Sequence, residues 1–173
     1  MQHKRVVVIL VDKHAWLDAL PLPNDARLNS ATDFHQTFRM SSREIIVPSS
    51  MKTLAERAGY APAVRVNGTI FCAGQVGRTF DLDVIKDPES QFVAAWENLR
   101  LILTQGQCTF DDVVDMTTYH VNMREHMGVF RAVKDRMFPR KTCAWTCIGV
   151  AELAHPGLLV EIKCIAVRRQ PPV

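Results

Sequence analysis

The sequence predicts an α+β domain in which one β-sheet carries two helices on one of its faces. Two longer segments have apolar residues at helical spacing, and strand-like alternating segments flank them. Asn67-Gly68 supplies a tight turn between two of the strand candidates, which predicts a hairpin. The resulting order is ββαβαββ. Because strand–helix–strand crossovers are right-handed, both helices can lie on the same face of the sheet.

Composition and charge limit the classes of function. The chain has 173 residues, 47% hydrophobic and 23% charged, which is typical of one globular domain. A net charge of +3 with scattered Lys and Arg argues against a nucleic-acid partner. No apolar run approaches the roughly 20 residues of a membrane span, so no membrane partner is expected. Five cysteines without a CxxC pair predict free thiols in a reducing cytoplasm and no usual zinc ligand set.

The first part of the chain differs from the rest. Residues 1–43 contain a loop-like stretch with no sustained period, and we expect them to form an extension outside the core. The residues that indicate the loop are Pro21, Pro23, Asn24, Asp25, Asn29 and Ser30. Whether the extension is a genuine arm or an over-long translation start stays open. The compact domain is expected over residues 44–169, and residues 170–173 form a short C-terminal tail.

The first long helix has clear boundaries. Asp87 suits the N-cap, Pro88 the first turn and Glu89 the positive end of the helix, while Gly106 ends it. Apolar residues form one stripe along it, which predicts a core-facing helix: Phe92, Ala95, Trp96, Leu99, Ile102 and Leu103.

The next strand is expected over Val113 to Val121, with Tyr119 and His120 on opposite faces. We interpret His120 as structural rather than catalytic. The second helix is expected from about Arg124 to Phe138 and has a narrower apolar stripe.

Two further strand candidates follow, joined by a connection with a Pro-Gly breaker. If they pair, Trp145, Cys147 and Glu161 share one face. That face lies opposite the helices, so nothing in the chain covers it, and we expect a second copy to do so. Glu161 is then either an acid–base group in a tuned environment or a solvated residue on a half-exposed strand.

Several stretches resemble the Rid family, also called YjgF/YER057c/UK114. They are GYAPAV at 59–64, FCAGQVG at 71–77, and GVAEL followed by LLVEIKCIAV. The resemblance covers roughly residues 45–169. It implies a chorismate-mutase-like fold and a homotrimer with ligand clefts between subunits. It also implies hydrolysis of enamines or imines to ammonia and a keto acid, without a metal or cofactor.

The resemblance implies roles for individual residues. Glu161 matches the acidic residue that positions or activates the attacking water. Tyr60 matches an aromatic residue at the mouth of the cleft, Gly74 matches the loop that lines it, and Cys147 matches a thiol within it.

Two positions depart from the pattern of the deaminating members. Ala73 stands where they carry Ser, and Trp145 stands where they carry the arginine that binds the substrate carboxylate. Arg131 on the second helix is a candidate substitute for that arginine. Without it, the cleft is expected to prefer an uncharged or aromatic ligand. Two functions therefore stay open: a hydrolase of enamines or imines with altered substrate choice, and a non-catalytic trimeric protein that binds a small molecule.

Overall fold

The computed structural model describes residues 43–79, 81–139 and 143–168. The extension predicted over residues 1–43 lies outside these ranges except for Arg43, and so does the predicted tail. The boundaries proposed for the extension and the tail therefore remain predictions.

The described residues form a mixed α+β fold with one sheet and three α-helices, which confirms the predicted class. The strands are β1 (Glu44–Ile46), β2 (Ala63–Val66), β3 (Thr69–Cys72), β4 (Gln75–Val76), β5 (Val113–His120), β6 (Ala144–Gly149) and β7 (Val160–Val167). The helices are α1 (Lys52–Ala58), α2 (Pro88–Gln105) and α3 (Met123–Met137). The predicted ββαβαββ order lacks β1, α1 and β4, all of which are short.

The strand order is β1-β2-β3-β7-β5-β6, with β4 pairing on β7. β5 and β6 are parallel because α3 connects them by a crossover, and the other pairs are antiparallel. β7 lies on the opposite edge of β5. The expected pairing of the last two strands is therefore wrong, since β5 separates them.

Helix α2 follows the sequence prediction closely. The Asp87 carboxylate accepts a hydrogen bond from the Ser90 backbone N–H at 2.8 Å, and Pro88 occupies the first turn. The helix ends before Gly106. Its predicted apolar stripe is buried as a whole, together with Gln91. These local signals act within a few residues of each boundary, which is why the sequence alone predicts them.

Helices α2 and α3 cover one face of the sheet, which we call the covered face. It carries the buried residues of the central strands: Met116, Thr118, His120, Val160, Ile162, Cys164 and Ala166. From α3, Phe130 lies edge-on to His120 with ring centroids 4.5 Å apart. From α2, Trp96 stacks on Phe130 at 6.2 Å.

The other side of the sheet, which we call the open face, carries the alternate residues of the same strands. In pairing order they are Ile45, Val64, Phe71, Ile165, Thr117, Lys163, Tyr119, Glu161 and Ile148. Ile45 is 57% exposed and Phe71 is 47% exposed. Among the residues described, no helix is long and apolar enough to cross a bilayer.

Candidate functional site

An open cleft of about 610 Å³ lies on the open face. β7 contributes Glu161 and Lys163, β5 contributes Tyr119, and the turn after β3 contributes Ala73 and Gly74. The segment that follows β6 closes one side with Val150, Glu152, Leu153 and Ala154. The structure thus brings together three of the predicted site residues: Glu161, Ala73 and Gly74.

Glu161 lies directly against the backbone of Gly74. A Cβ atom on Gly74 would come within 1.9 Å of Glu161 Oε1 and 2.7 Å of its Cγ, so any larger residue would displace the carboxylate. The pairing of Val76 with Glu161 across β4 and β7 sets this approach. The absence of a side chain at Gly74 therefore leaves the space that the Glu161 carboxylate occupies.

Tyr119 and Lys163 are cleft residues that the sequence analysis did not select. Tyr119 lies directly opposite Glu161 in the β5–β7 ladder, and Lys163 lies opposite Thr117. Side chains of directly opposed residues have Cβ atoms about 4.5–5.5 Å apart. The alternation within β5 and within β7 shows which residues of each strand share a face. It does not show that Tyr119 and Lys163 lie beside Glu161 until the register between the two strands is known.

Tyr60 lies in a second, smaller cavity of about 50 Å³, which also contains Gln75, Arg78 and Asn98. Burial raises the pKa of Tyr60, and its hydrogen bond with Gln75 acts in the opposite direction. Gly74 borders both cavities. Tyr60 is thus a neighbour of the Glu161 cleft and does not line it within this subunit.

Trp145 lies on the covered face, because it is paired with Met116 in the parallel β5–β6 ladder. Its indole N–H donates a hydrogen bond to Thr118 Oγ1 at 2.9 Å, and the Lys134 ammonium lies 4.7 Å from the ring centre. The prediction that Trp145 shares a face with Glu161 is therefore wrong. The error follows from the assumed pairing of β6 with β7.

Cys147 also lies on the covered face, because β6 pairs with β5 rather than with β7. It is paired with Thr118, a buried residue of the covered face, and its thiol lies 3.7 Å from Met123 Sδ. Within one subunit, Cys147 and Glu161 lie on opposite sides of the sheet.

Arg131 is exposed on α3, next to Phe130, which is buried against the sheet. Since α3 packs on the covered face, the subunit does not bring the guanidinium of Arg131 to the Glu161 cleft. The role of Arg131 as a substitute for a carboxylate-binding arginine, which was predicted for a cleft between subunits, therefore remains a prediction.

Gln91 holds the segment that closes the cleft. This fully buried side chain donates hydrogen bonds to the carbonyls of Ile85 at 2.7 Å and Gly157 at 3.0 Å. Its carbonyl accepts one from the Leu159 backbone N–H at 2.6 Å. Gly77 permits this packing, because a Cβ there would lie 2.3 Å from Gln91 Cγ. One buried amide thus positions the connection between β6 and β7.

His120 is buried on the covered face, where its Nε2 lies 2.9 Å from Thr118 Oγ1. Burial lowers the pKa of His120 to about 4, so the ring is neutral at pH 7. This environment agrees with the structural role expected for His120. No group of three or more metal-ligating side chains occurs among the described residues.

Fold and cleft together define an α+β protein whose polar site lies on the face of the sheet that its helices leave uncovered. Residues 50–168 match the Endoribonuclease L-PSP family. The chain therefore belongs to that family, which is the Rid or YjgF/YER057c/UK114 family, and the resemblance seen in the sequence is confirmed.

Individual relatives cover most of the described domain. The RutC family protein YjgH of Escherichia coli K12 is 33% identical over 128 residues, which is 73% of this chain and 96% of that protein. The solved structure of protein YJGH has a TM-score of 0.69 at 32% identity and covers 75% of this chain and 98% of that one. The 2-iminobutanoate/2-iminopropanoate deaminase of Mus musculus is 33% identical over 139 residues, covering 75% and 96% of the two chains.

Proposed function

We propose that this protein hydrolyses imines or enamines with Glu161 as the acid–base group. The observation that carries the proposal is the carboxylate of Glu161, held against Gly74 at the wall of an open cleft. The name of the mouse relative supports the substrate class. The cytoplasmic location and the independence of metal and cofactor remain predictions from the sequence and the family.

The reaction needs one proton acceptor that later becomes a donor. Glu161 takes a proton from water as the water oxygen bonds to the carbon of the protonated imine, which gives a neutral carbinolamine. The protonated Glu161 then returns this proton to the amine nitrogen, the C–N bond breaks, and the hydroxyl proton passes to the departing ammonia, which leaves as ammonium with the carbonyl product. Water is consumed and no electrons are transferred. Such general acid–base catalysis contributes typically about 10²–10⁴-fold to the rate.

We further propose that the active form is a homotrimer with its clefts at the subunit boundaries. Exposed apolar side chains on the open face support self-association, since a soluble chain seldom leaves such a surface uncovered. They include Ile45, Phe71, Ile148 and Val167. Trp145 and Cys147 lie on the covered face of their own subunit, so in this assembly they would border a cleft only if β6, an edge strand, carried them to a neighbouring subunit.

Replacement of Glu161 by Gln tests the chemistry directly. Imines are generated by an amino-acid oxidase, and keto-acid release is measured above the uncatalysed rate. We expect Glu161→Gln to lose about 10²–10⁴-fold in kcat/KM, because the amide keeps the shape but cannot accept the proton. The matched control is Glu56→Gln on the exposed side of α1, which should keep wild-type activity. Equal activity of Glu161→Gln and wild type would refute the proposed role.

A non-catalytic binding protein is the second candidate, and Ala73 favours it. This residue lines the cleft with a methyl group where the deaminating members carry a hydroxyl. The binding protein predicts ligand-induced thermal stabilisation without turnover by wild type on any imine. Cleavage of RNA is not supported, because two carboxylates and one ammonium line the described cleft, and such a lining does not attract a polyanion.

A further inference from the structure

A single hydroxyl group borders the Glu161 cleft among the lining residues that the structure describes. The polar side chains of this lining are those of Tyr119, Glu152, Glu161 and Lys163. Of these, Tyr119 alone carries a hydroxyl. The turn after β3 offers none, since Ala73 has a methyl group and Gly74 has no side chain. A step that needs a hydroxyl group from this part of the subunit therefore depends on Tyr119.

The register of the sheet places Tyr119 beside Glu161. The two residues are directly opposed in the β5–β7 ladder, where Cβ atoms on one face lie about 4.5–5.5 Å apart. Tyr119 is half-buried, and Ile148 is its neighbour on the other side in the β5–β6 ladder. Its phenol oxygen forms no hydrogen bond with another described residue. The hydroxyl is therefore available to a water molecule or a ligand in the cleft.

Hydrolysis of a protonated imine moves both protons of the attacking water. The first proton goes to Glu161 as the C–O bond forms, and Glu161 later gives it to the nitrogen. The second proton stays on the carbinolamine hydroxyl and has to reach the departing ammonia. A carboxylate acting alone would have to handle the two protons in turn, whereas a second group lets the hydroxyl proton move while the C–N bond breaks.

The group that carries the second proton has to accept one proton and give up another in the same step. The ammonium group of Lys163 only donates hydrogen bonds, and the ionised carboxylate of Glu152 only accepts them. A phenol hydroxyl does both. Among the described lining residues, Tyr119 therefore has the chemistry that this second proton transfer needs.

We propose that the Tyr119 hydroxyl relays the second proton of the attacking water to the departing ammonia. This inference rests on the proposed function and adds a second proton-transfer residue to Glu161. During the attack, the phenol oxygen accepts a hydrogen bond from the second O–H of the water, which orients the water oxygen towards the imine carbon.

The same contact completes the reaction. As the C–N bond breaks, its electron pair stays on nitrogen and the C=O bond forms. The hydroxyl proton passes to the phenol oxygen of Tyr119, and the phenol proton passes to the ammonia. Tyr119 ends as a neutral phenol, ammonium leaves, and no oxidation or reduction takes place.

The test compares Tyr119→Phe with the control Thr117→Val. The first variant removes one hydroxyl from the cleft and keeps the ring. The second removes a hydroxyl from the same face of β5, two residues away and outside the described lining of the cleft. The kinetic constants kcat and KM are measured by keto-acid release from the imine of 2-aminobutanoate, and melting temperatures are measured by calorimetry.

The relay acts on protons that move only in the transition state, so its loss should lower kcat and leave KM nearly unchanged. We expect Tyr119→Phe to lower kcat about tenfold, the effect of one lost hydrogen bond, at an unchanged melting temperature. Thr117→Val should behave as wild type in all three measurements.

Failure of the relay and failure of the proposed function give different results. Equal kcat in Tyr119→Phe and wild type, with activity still lost in Glu161→Gln, would overturn the relay and leave the hydrolase standing, because Glu161 would then handle both protons alone. A higher KM or a lower melting temperature without a loss of kcat would assign Tyr119 to binding or packing and would also overturn the relay. A wild-type protein that hydrolyses no imine would refute the proposed function, and the relay with it.

Discussion

The two faces of the sheet are built from alternate residues of the same strands, but one face packs against helices and the other carries a cleft. On the covered face of β5, Thr118 and His120 are buried and hydrogen-bonded to each other. On the open face, Tyr119 and Glu161 lie opposite one another and border a cleft. Because successive side chains of a strand point to opposite faces, one residue can stabilise the core while its neighbour in sequence borders the cleft. Substitutions at neighbouring positions should therefore have different consequences.

The largest effect is expected where the backbone itself shapes the open face. Gly74→Ala places a Cβ within 1.9 Å of Glu161 Oε1, so the carboxylate must move. We expect a loss of kcat/KM approaching that of Glu161→Gln, about 10²–10⁴-fold, measured by keto-acid release. Gly128→Ala is the matched control, because Gly128 is exposed on α3 and nothing lies within 4 Å of a Cβ placed there. It should keep full activity and raise stability by up to about 1 kcal/mol. Full activity in Gly74→Ala would contradict the assigned position of Glu161.

Adjacent residues of β3 offer the most direct comparison of the faces. Ile70 is 0% exposed on the covered face, so Ile70→Ala should lower the free energy of unfolding by about 2–5 kcal/mol. Phe71 is 47% exposed on the open face, so Phe71→Asp should leave each subunit folded and dissociate the proposed trimer. Urea unfolding measures the first effect, and light scattering measures the second. A trimer that persists in Phe71→Asp would exclude the open face as the subunit interface.

The smallest effect concerns the titratable group of the covered face. The pKa of His120 is lowered to about 4 from 6.5, so the unfolded chain binds its proton more readily than the folded one. Stability contributed by the neutral ring is complete above pH 6.5 and is lost as pH falls towards 4. At about 1.4 kcal/mol per unit, pH 5 should cost about 2 kcal/mol relative to pH 7.

Urea unfolding of wild type and His120→Gln at the two pH values measures this loss. The difference between pH 7 and pH 5 should be about 2 kcal/mol smaller in His120→Gln. His155→Gln, which replaces an exposed histidine, should retain the wild-type difference. Identical pH dependence in His120→Gln and wild type would show that His120 does not titrate in this range.

The sequence by itself determined the features that depend on near neighbours. Asp87, Pro88 and Gly106 bound α2 because capping groups act within one turn of a helix. The hairpin at Asn67-Gly68 formed as predicted, with both residues at positive φ. Glu161 and Gly74 were selected from the family resemblance, and the register of β4 on β7 brings them into contact.

Only the tertiary structure decided which residues share a face across different strands. Alternation within β6 predicts that Trp145 and Cys147 point the same way, but it does not say which side of the sheet they occupy. That choice follows from the parallel pairing of β6 with β5, which aligns Trp145 with Met116. The cleft depends on equally distant contacts, because Lys163 and Tyr119 join Glu161 only through the register of β7 on β5. A shift of one residue in either ladder would exchange the two faces, and no local signal in the chain specifies that register.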